Sequence, residues 1–149
     1  MSCLLGGASF ADAADDVVTK HSLHPFAETL DRLEAAAKEN GLTVIARPDH
    51  SAAAKSVGLK MLPEIVLVVG NPRSGTPLFL QHRTLAIDLP LKMLVWQNQT
   101  GEVYVSYNTA TFTTAMFARH DFDTSNRSLI AEANAIEAKQ ETVAETAVK

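Results

Sequence analysis

Two runs, LKMLVWQ at 91–97 and EVYVSY at 102–107, flank Asn98-Gln99-Thr100-Gly101, and this pattern restricts the fold more than any other in the chain. A connection this short joins antiparallel strands, because parallel neighbours need a crossover of a dozen or more residues. Val103, Val105 and Tyr107 alternate with Tyr104 and Ser106, so one face of the hairpin is expected to be buried and the other to meet solvent or helices. Trp96 and Tyr107 are expected to pack across it.

The remaining segments supply partners for that hairpin. Val17 to His21 reads as a strand. In PFAETLDRLEAAAKENG, Phe26, Leu30, Leu33 and Ala37 fall on one helical face, with Pro25 at its start and Gly41 at its stop. LTVIARPDH reads as a strand ended by Pro48, and SAAAKSVG as a brief helix capped by Ser51. Ile65 to Val69 is a continuous apolar run of the kind found in central strands. Thr76 and Pro77 fit the cap and first turn of a short helix, and Ala110 to His120 a further helix with Phe112, Met116 and Ala115 inward. The order β-α-β-α-β-α-β-β-α predicts an α+β fold, a five-stranded antiparallel or mixed sheet with helices mainly on one face. Beyond Phe122 large apolar residues thin out after Ile136, and residues 123–149 are expected to be a helix that frays.

Gly70 and Gly75, in VVGNPRSGTPLF, have the spacing of a phosphate-binding loop after a strand. Such a loop also needs Lys and Ser/Thr after its second glycine, for the phosphate charge and the magnesium ion. Thr76 and Pro77 stand there instead, so nucleotide hydrolysis is excluded. Two readings of the turn stay open: a tight connection, or an anion site where helix amides are joined by Arg73.

With 149 residues, 46% of them hydrophobic, the chain suffices for one domain. Its formal charge of -4 disfavours nucleic acid, and no apolar run approaches the roughly 18 residues needed to span a membrane. Cys3 is the only cysteine, so no disulfide is expected; no metal set, nucleophile elbow or cofactor motif is present, His21-x-x-His24 lacking a second pair. Ala11-Asp12-Ala13 fits the small-x-small pattern before a signal-peptidase cut. Residues 1–13 are therefore expected to be the remnant of a signal peptide, residues 14–122 the domain, and the location periplasmic or secreted, otherwise cytoplasmic.

Asp49-His50, GNPRSGTPLF at 70–79, AIDLPLKMLVW at 86–96 and VYVSYN at 103–108, in that order, resemble the domain-of-unknown-function family 302 (DUF302) between about Val17 and His120. The resemblance implies a small α+β domain, commonly a homodimer, that in many bacterial members follows a signal peptide; it implies no established activity. His50, Asn71, Gly75, Thr76, Pro77, Asp88, Leu89, Pro90, Lys92, Trp96, Tyr107 and Asn108 match the family pattern in type, whereas Thr109 and Ala110 stand where it has Asp-Pro. The candidate ligand-binding residues are His50, Asn71, Arg73, Thr76, Asp88, Lys92, Tyr107 and Asn108, expected to gather around a small ligand, an anion among the candidates, without catalysis. Two alternatives remain: an enzyme using His50 as general acid or base with Asp88 or Lys92, the latter two expected to form an ion pair, or a dimeric interaction module without a pocket.

Overall fold

The structure, a computed structural model, describes residues 16–149; the signal-peptide expectation for residues 1–13 lies outside them. Its elements are β1 (Val17–His21), α1 (Phe26–Glu39), β2 (Thr43–Ala46), α2 (His50–Ser56), β3 (Glu64–Gly70), α3 (Pro72–Gln81), a 3-10 turn (Arg83–Ile87), β4 (Leu91–Gln97), β5 (Val103–Asn108), α4 (Ala110–Arg119) and α5 (Arg127–Val148). The five strands form one sheet in the order β1-β5-β4-β3-β2. Every pairing is antiparallel, which resolves the choice between an antiparallel and a mixed sheet.

The hairpin sets the two faces. Met93 pairs with Tyr107 and Val95 with Val105, and these side chains join Leu67 and Val69 of β3 in the main core. Trp96 pairs instead with Tyr104, its ring stacked at 4.7 Å between centroids. Trp96 and Tyr107 therefore lie on opposite faces, and the expected contact between them is corrected: side chains alternate along β5, so residues 104 and 107 cannot share a face.

Because β1 and β2 are opposite edges of the sheet, α1 must cross its core face to connect them. Leu30, Leu33, Ala36 and Ala37 are buried there, as the helical spacing requires, and Gly41 at φ 74° turns the chain into β2. The brief helix α2 is capped by Asp49 rather than Ser51. Asp49 accepts from Ala52 N at 2.8 Å and from the Ser51 hydroxyl at 2.6 Å, and these bonds, the hydroxyl first, hold its carboxyl below the usual range.

The helix α3 begins earlier than its Thr-Pro pair suggests. Asn71 is the cap, accepting from Arg73 N at 2.9 Å; Pro72 takes the first turn, and Thr76 and Pro77 fall inside the helix. In α4, Thr113, Met116 and Phe117 turn inward, whereas Phe112 and Ala115 are exposed. The inward set recurs at three and four residues and so follows the helical period.

The largest departure from expectation is the C-terminal segment. Instead of fraying, α5 runs 22 residues and buries Ala133, Gln140, Val143, Ala144, Ala147 and Val148. It joins two apolar clusters: Ala133 lies in the one with Leu85, Met116, Phe117 and Phe122, and Val143, Ala144, Ala147 and Val148 lie in the main core with α1 and the sheet. Polar contacts secure its end. Arg32 donates to the carbonyls of Ala147 (3.1 Å) and Thr146 (3.0 Å), groups that otherwise lack helical partners, and Leu23 N donates to Val148 O at 2.9 Å. Lys20 reaches Glu141 and Glu145, both at 3.2 Å; burial works against its ammonium, but these carboxylates outweigh it and raise its pKa.

If α5 is a structural member of the core, Val143→Ala should lower stability by about 2 kcal/mol, and the melting temperature by roughly 4–8 °C. Thermal denaturation followed by circular dichroism measures this, and an unchanged melting temperature would contradict the docking.

Candidate functional site

Strand β3 is continuous from Glu64 to Gly70, so its two ends are held apart. Asp49 bridges to Ile65 near its start, whereas Asn71 follows Gly70 at its end. Ile65 and Asn71 are six positions apart, roughly 20 Å along a strand at about 3.3 Å per residue. His50, exposed in the first turn of α2, is therefore not brought to Asn71, Thr76 or the Asp88–Lys92 loop, and the expected pocket containing all of them does not assemble.

At the far end of β3 there is a cleft of about 400 Å³. One wall is α3, with Leu78 and Phe79; the second is the Leu89-Pro90-Leu91 segment; the third is α5, with Ala135 and Ile136. Ile45 of β2 adds to the apolar lining; Asn71 at the cap of α3, Ser74 and Thr76 supply polar groups, as do Thr43 of β2 and Glu132 and Lys139 of α5. Gly70 allows the walls to close up: a Cβ there would meet Ile45 Cδ1 at 3.3 Å and Pro90 Cβ at 3.5 Å. The Leu89–Pro90 peptide is cis.

Arg73 leaves this cleft. It lines a second, more polar hollow of about 580 Å³ together with Asp121, Asp123 and Glu132, whose carboxylates oppose an anion there. The α3 amides are also partly used, since Arg73 N bonds to the Asn71 side chain and Gly75 N to Asn71 O. The anion reading of the turn thus loses its cation and several of its donors.

Asp88 and Lys92 do not pair with each other as expected. Lys92 Nζ donates to the carbonyls of Asp88 (3.2 Å) and Pro90 (3.4 Å), tying the loop to itself. The Asp88 carboxylate meets His120 Nε2 at 2.6 Å and Arg119 at 3.5 Å, while His120 Nδ1 lies 2.9 Å from the Thr84 hydroxyl. His120 is only 4% exposed, so it clamps the 3-10 turn and the Asp88 loop to the end of α4. His120 is not among the candidate residues, yet Thr113, Met116, Phe117 and His120 fall on one helical face, a spacing visible in the sequence. Tyr107 is buried on the core face, where burial pushes its phenol pKa up, and Asn108 closes β5 opposite Val17.

Removing the imidazole with His120→Ala would leave a cavity and strip Asp88 and Thr84 of a buried partner. A loss of about 2–4 kcal/mol is expected in urea denaturation, against less than about 1 kcal/mol for exposed His50→Ala.

One all-antiparallel sheet, two helices over its core face and a largely apolar cleft at one sheet end define the class: a small α+β domain with a binding cleft. The chain belongs to the DUF302 family, a domain of unknown function, whose family model matches residues 18–147. That match takes in α5, beyond the point where the quoted motifs end. A crystal structure of a DUF302 protein from Bacillus stearothermophilus shares the fold, with a TM-score of 0.75 and 21% identity over 89% of this chain and 98% of that one. Among curated proteins, the chain is 41% identical over 101 residues to "Fluoride-specific ion channel FluC 1" of Brucella suis biovar 1 (strain 1330). It is also 41% identical over 101 residues to the protein of that name in Brucella abortus biovar 1 (strain 9-941). Each match covers 68% of this chain but only 39% and 37% of the relatives, so the chain spans about two fifths of their length.

Proposed function

We propose that this domain binds a small, largely apolar molecule carrying hydrogen-bonding groups, without catalysis. The observation that carries the reading is the cleft, whose aliphatic and aromatic walls are edged by polar groups: Asn71, Ser74 and Thr76 at α3, and Glu132 and Lys139 on α5. An enzyme built on His50 is not supported, since Asp88 and Lys92 lie at the other end of β3 and are engaged elsewhere. The match to proteins named as fluoride channels spans only 39% of that relative's length, and no described helix is long and apolar enough to cross a membrane. The reading keeps the domain as an exported one, supported by Ala11-Asp12-Ala13.

The test is a thermal-shift screen of small amphipathic molecules, with fluoride included. A ligand at about 100 times its Kd should add ~2.7 kcal/mol of stability. Ala135→Trp, an exposed position on the α5 wall, should abolish that shift by filling the cleft, whereas Arg73→Ala should leave it intact. A shift lost in Arg73→Ala and kept in Ala135→Trp would refute the assignment.

Self-association is a second reading, favoured by one observation. Val66, Val68, Leu94, Trp96 and Tyr104 lie on the sheet face turned away from the main core and are only partly buried. Analytical ultracentrifugation should show a dimer that Leu94→Lys converts to a folded monomer; a wild-type monomer at high concentration would end this reading.

A further inference from the structure

The link between α2 and β3 exposes a concentration of apolar side chains found in no other loop among the described residues. Val57, Leu59, Met61 and Leu62 are 43–71% exposed within six residues. Scattered surface aliphatics are ordinary, but four together form a patch that water does not favour. The loop is held in place at both ends. Leu59 N donates to Ala54 O at 3.0 Å, Gly58 turns the chain at φ 78°, and Gln97 N donates to Pro63 O at 3.1 Å.

Charge identifies what covers the patch. Lys55 and Lys60 bracket and interleave the aliphatic residues, both are exposed, and neither has a carboxylate partner among the described residues. No acidic residue occurs between Lys55 and Pro63, although the whole chain carries a net charge of -4. The nearest acids in sequence stand outside the loop: Asp49 caps α2, and Glu64 begins β3. Lysine is depleted from the cores of protein interfaces, and a second copy of the loop would set ammonium against ammonium. At a bilayer surface the same pattern is favourable, because aliphatic tips enter the headgroup boundary while lysine stems extend and their charges meet lipid phosphates.

We propose that the Val57–Leu62 loop docks the domain on an anionic phospholipid surface. Trp96 lies beside it: β4 and β3 pair Trp96 with Glu64, and Gln97 bonds to Pro63 at the loop's end. Trp96 is also the only tryptophan, so its emission reports on this end of the sheet alone.

The experiment mixes the full chain with vesicles of phosphatidylcholine, alone or with phosphatidylglycerol. Cosedimentation with the mixed vesicles and a blue shift of Trp96 emission are expected, with binding to phosphatidylcholine alone weaker by about tenfold. Leu59→Asp with Met61→Asp should reduce partition about tenfold or more, and Lys55→Glu with Lys60→Glu should remove the preference for anionic lipid. All four residues are exposed, so circular dichroism should match wild type. Failure of the wild-type chain to cosediment with anionic vesicles overturns the proposal. So does a dimer that Leu59→Asp with Met61→Asp dissociates, because the loop would then belong to a second copy.

Discussion

The domain depends on one long helix that contributes few large side chains. Burying Ala133 against Phe117 and Leu85, and Val143, Ala144 and Ala147 against α1 and the sheet, turns two apolar clusters into one structure. Small residues suit this role because they let the α5 backbone approach closely, so that the bulk comes from Leu30, Leu33 and Leu67 on the other side. Arg32 then completes the arrangement by taking up the final carbonyls of α5, tying the end of the chain to its first helix.

That closure also positions the cleft. Without α5, α3 and the Leu89-Pro90-Leu91 segment would face open solvent; with it, Ala135 and Ile136 supply a third wall. The clamp of His120, Asp88 and Thr84 works on the adjoining segment, holding the 3-10 turn and the end of α4 in one relation to β4. Asp88 and Lys92, two of the candidate polar residues in the sequence, are thus occupied in holding one wall of the cleft in place.

Much of the fold could be read from residues alone, for reasons specific to each element. The hairpin was legible because Val103, Val105 and Tyr107 repeat at two residues, and α1 because Leu30, Leu33 and Ala37 repeat at helical spacing. The expected α+β class with a five-stranded sheet is the one observed. Less legible was α5, whose buried stripe of alanine and valine looks the same as a solvent-exposed helix. The start of α3 was ambiguous because Asn71-Pro72 and Thr76-Pro77 both resemble a cap followed by a first-turn proline. What keeps His50 from the cleft is the bridge of its neighbour Asp49 to Ile65 at the start of β3, a contact across sixteen positions that no local pattern announces. The partners of His120 were hidden for a similar reason, since Thr84 and Asp88 are more than thirty positions away and only the packing of α4 brings them close.

The rim of the sheet has a consequence for how such molecules coexist at high density. Of the two outermost strands, β2 is only four residues long and its register shifts between Val44 and Ala46. A short, irregular border offers few consecutive unpaired backbone groups for a neighbouring chain to zip onto. Crowded copies are thereby protected from fibril growth along that margin.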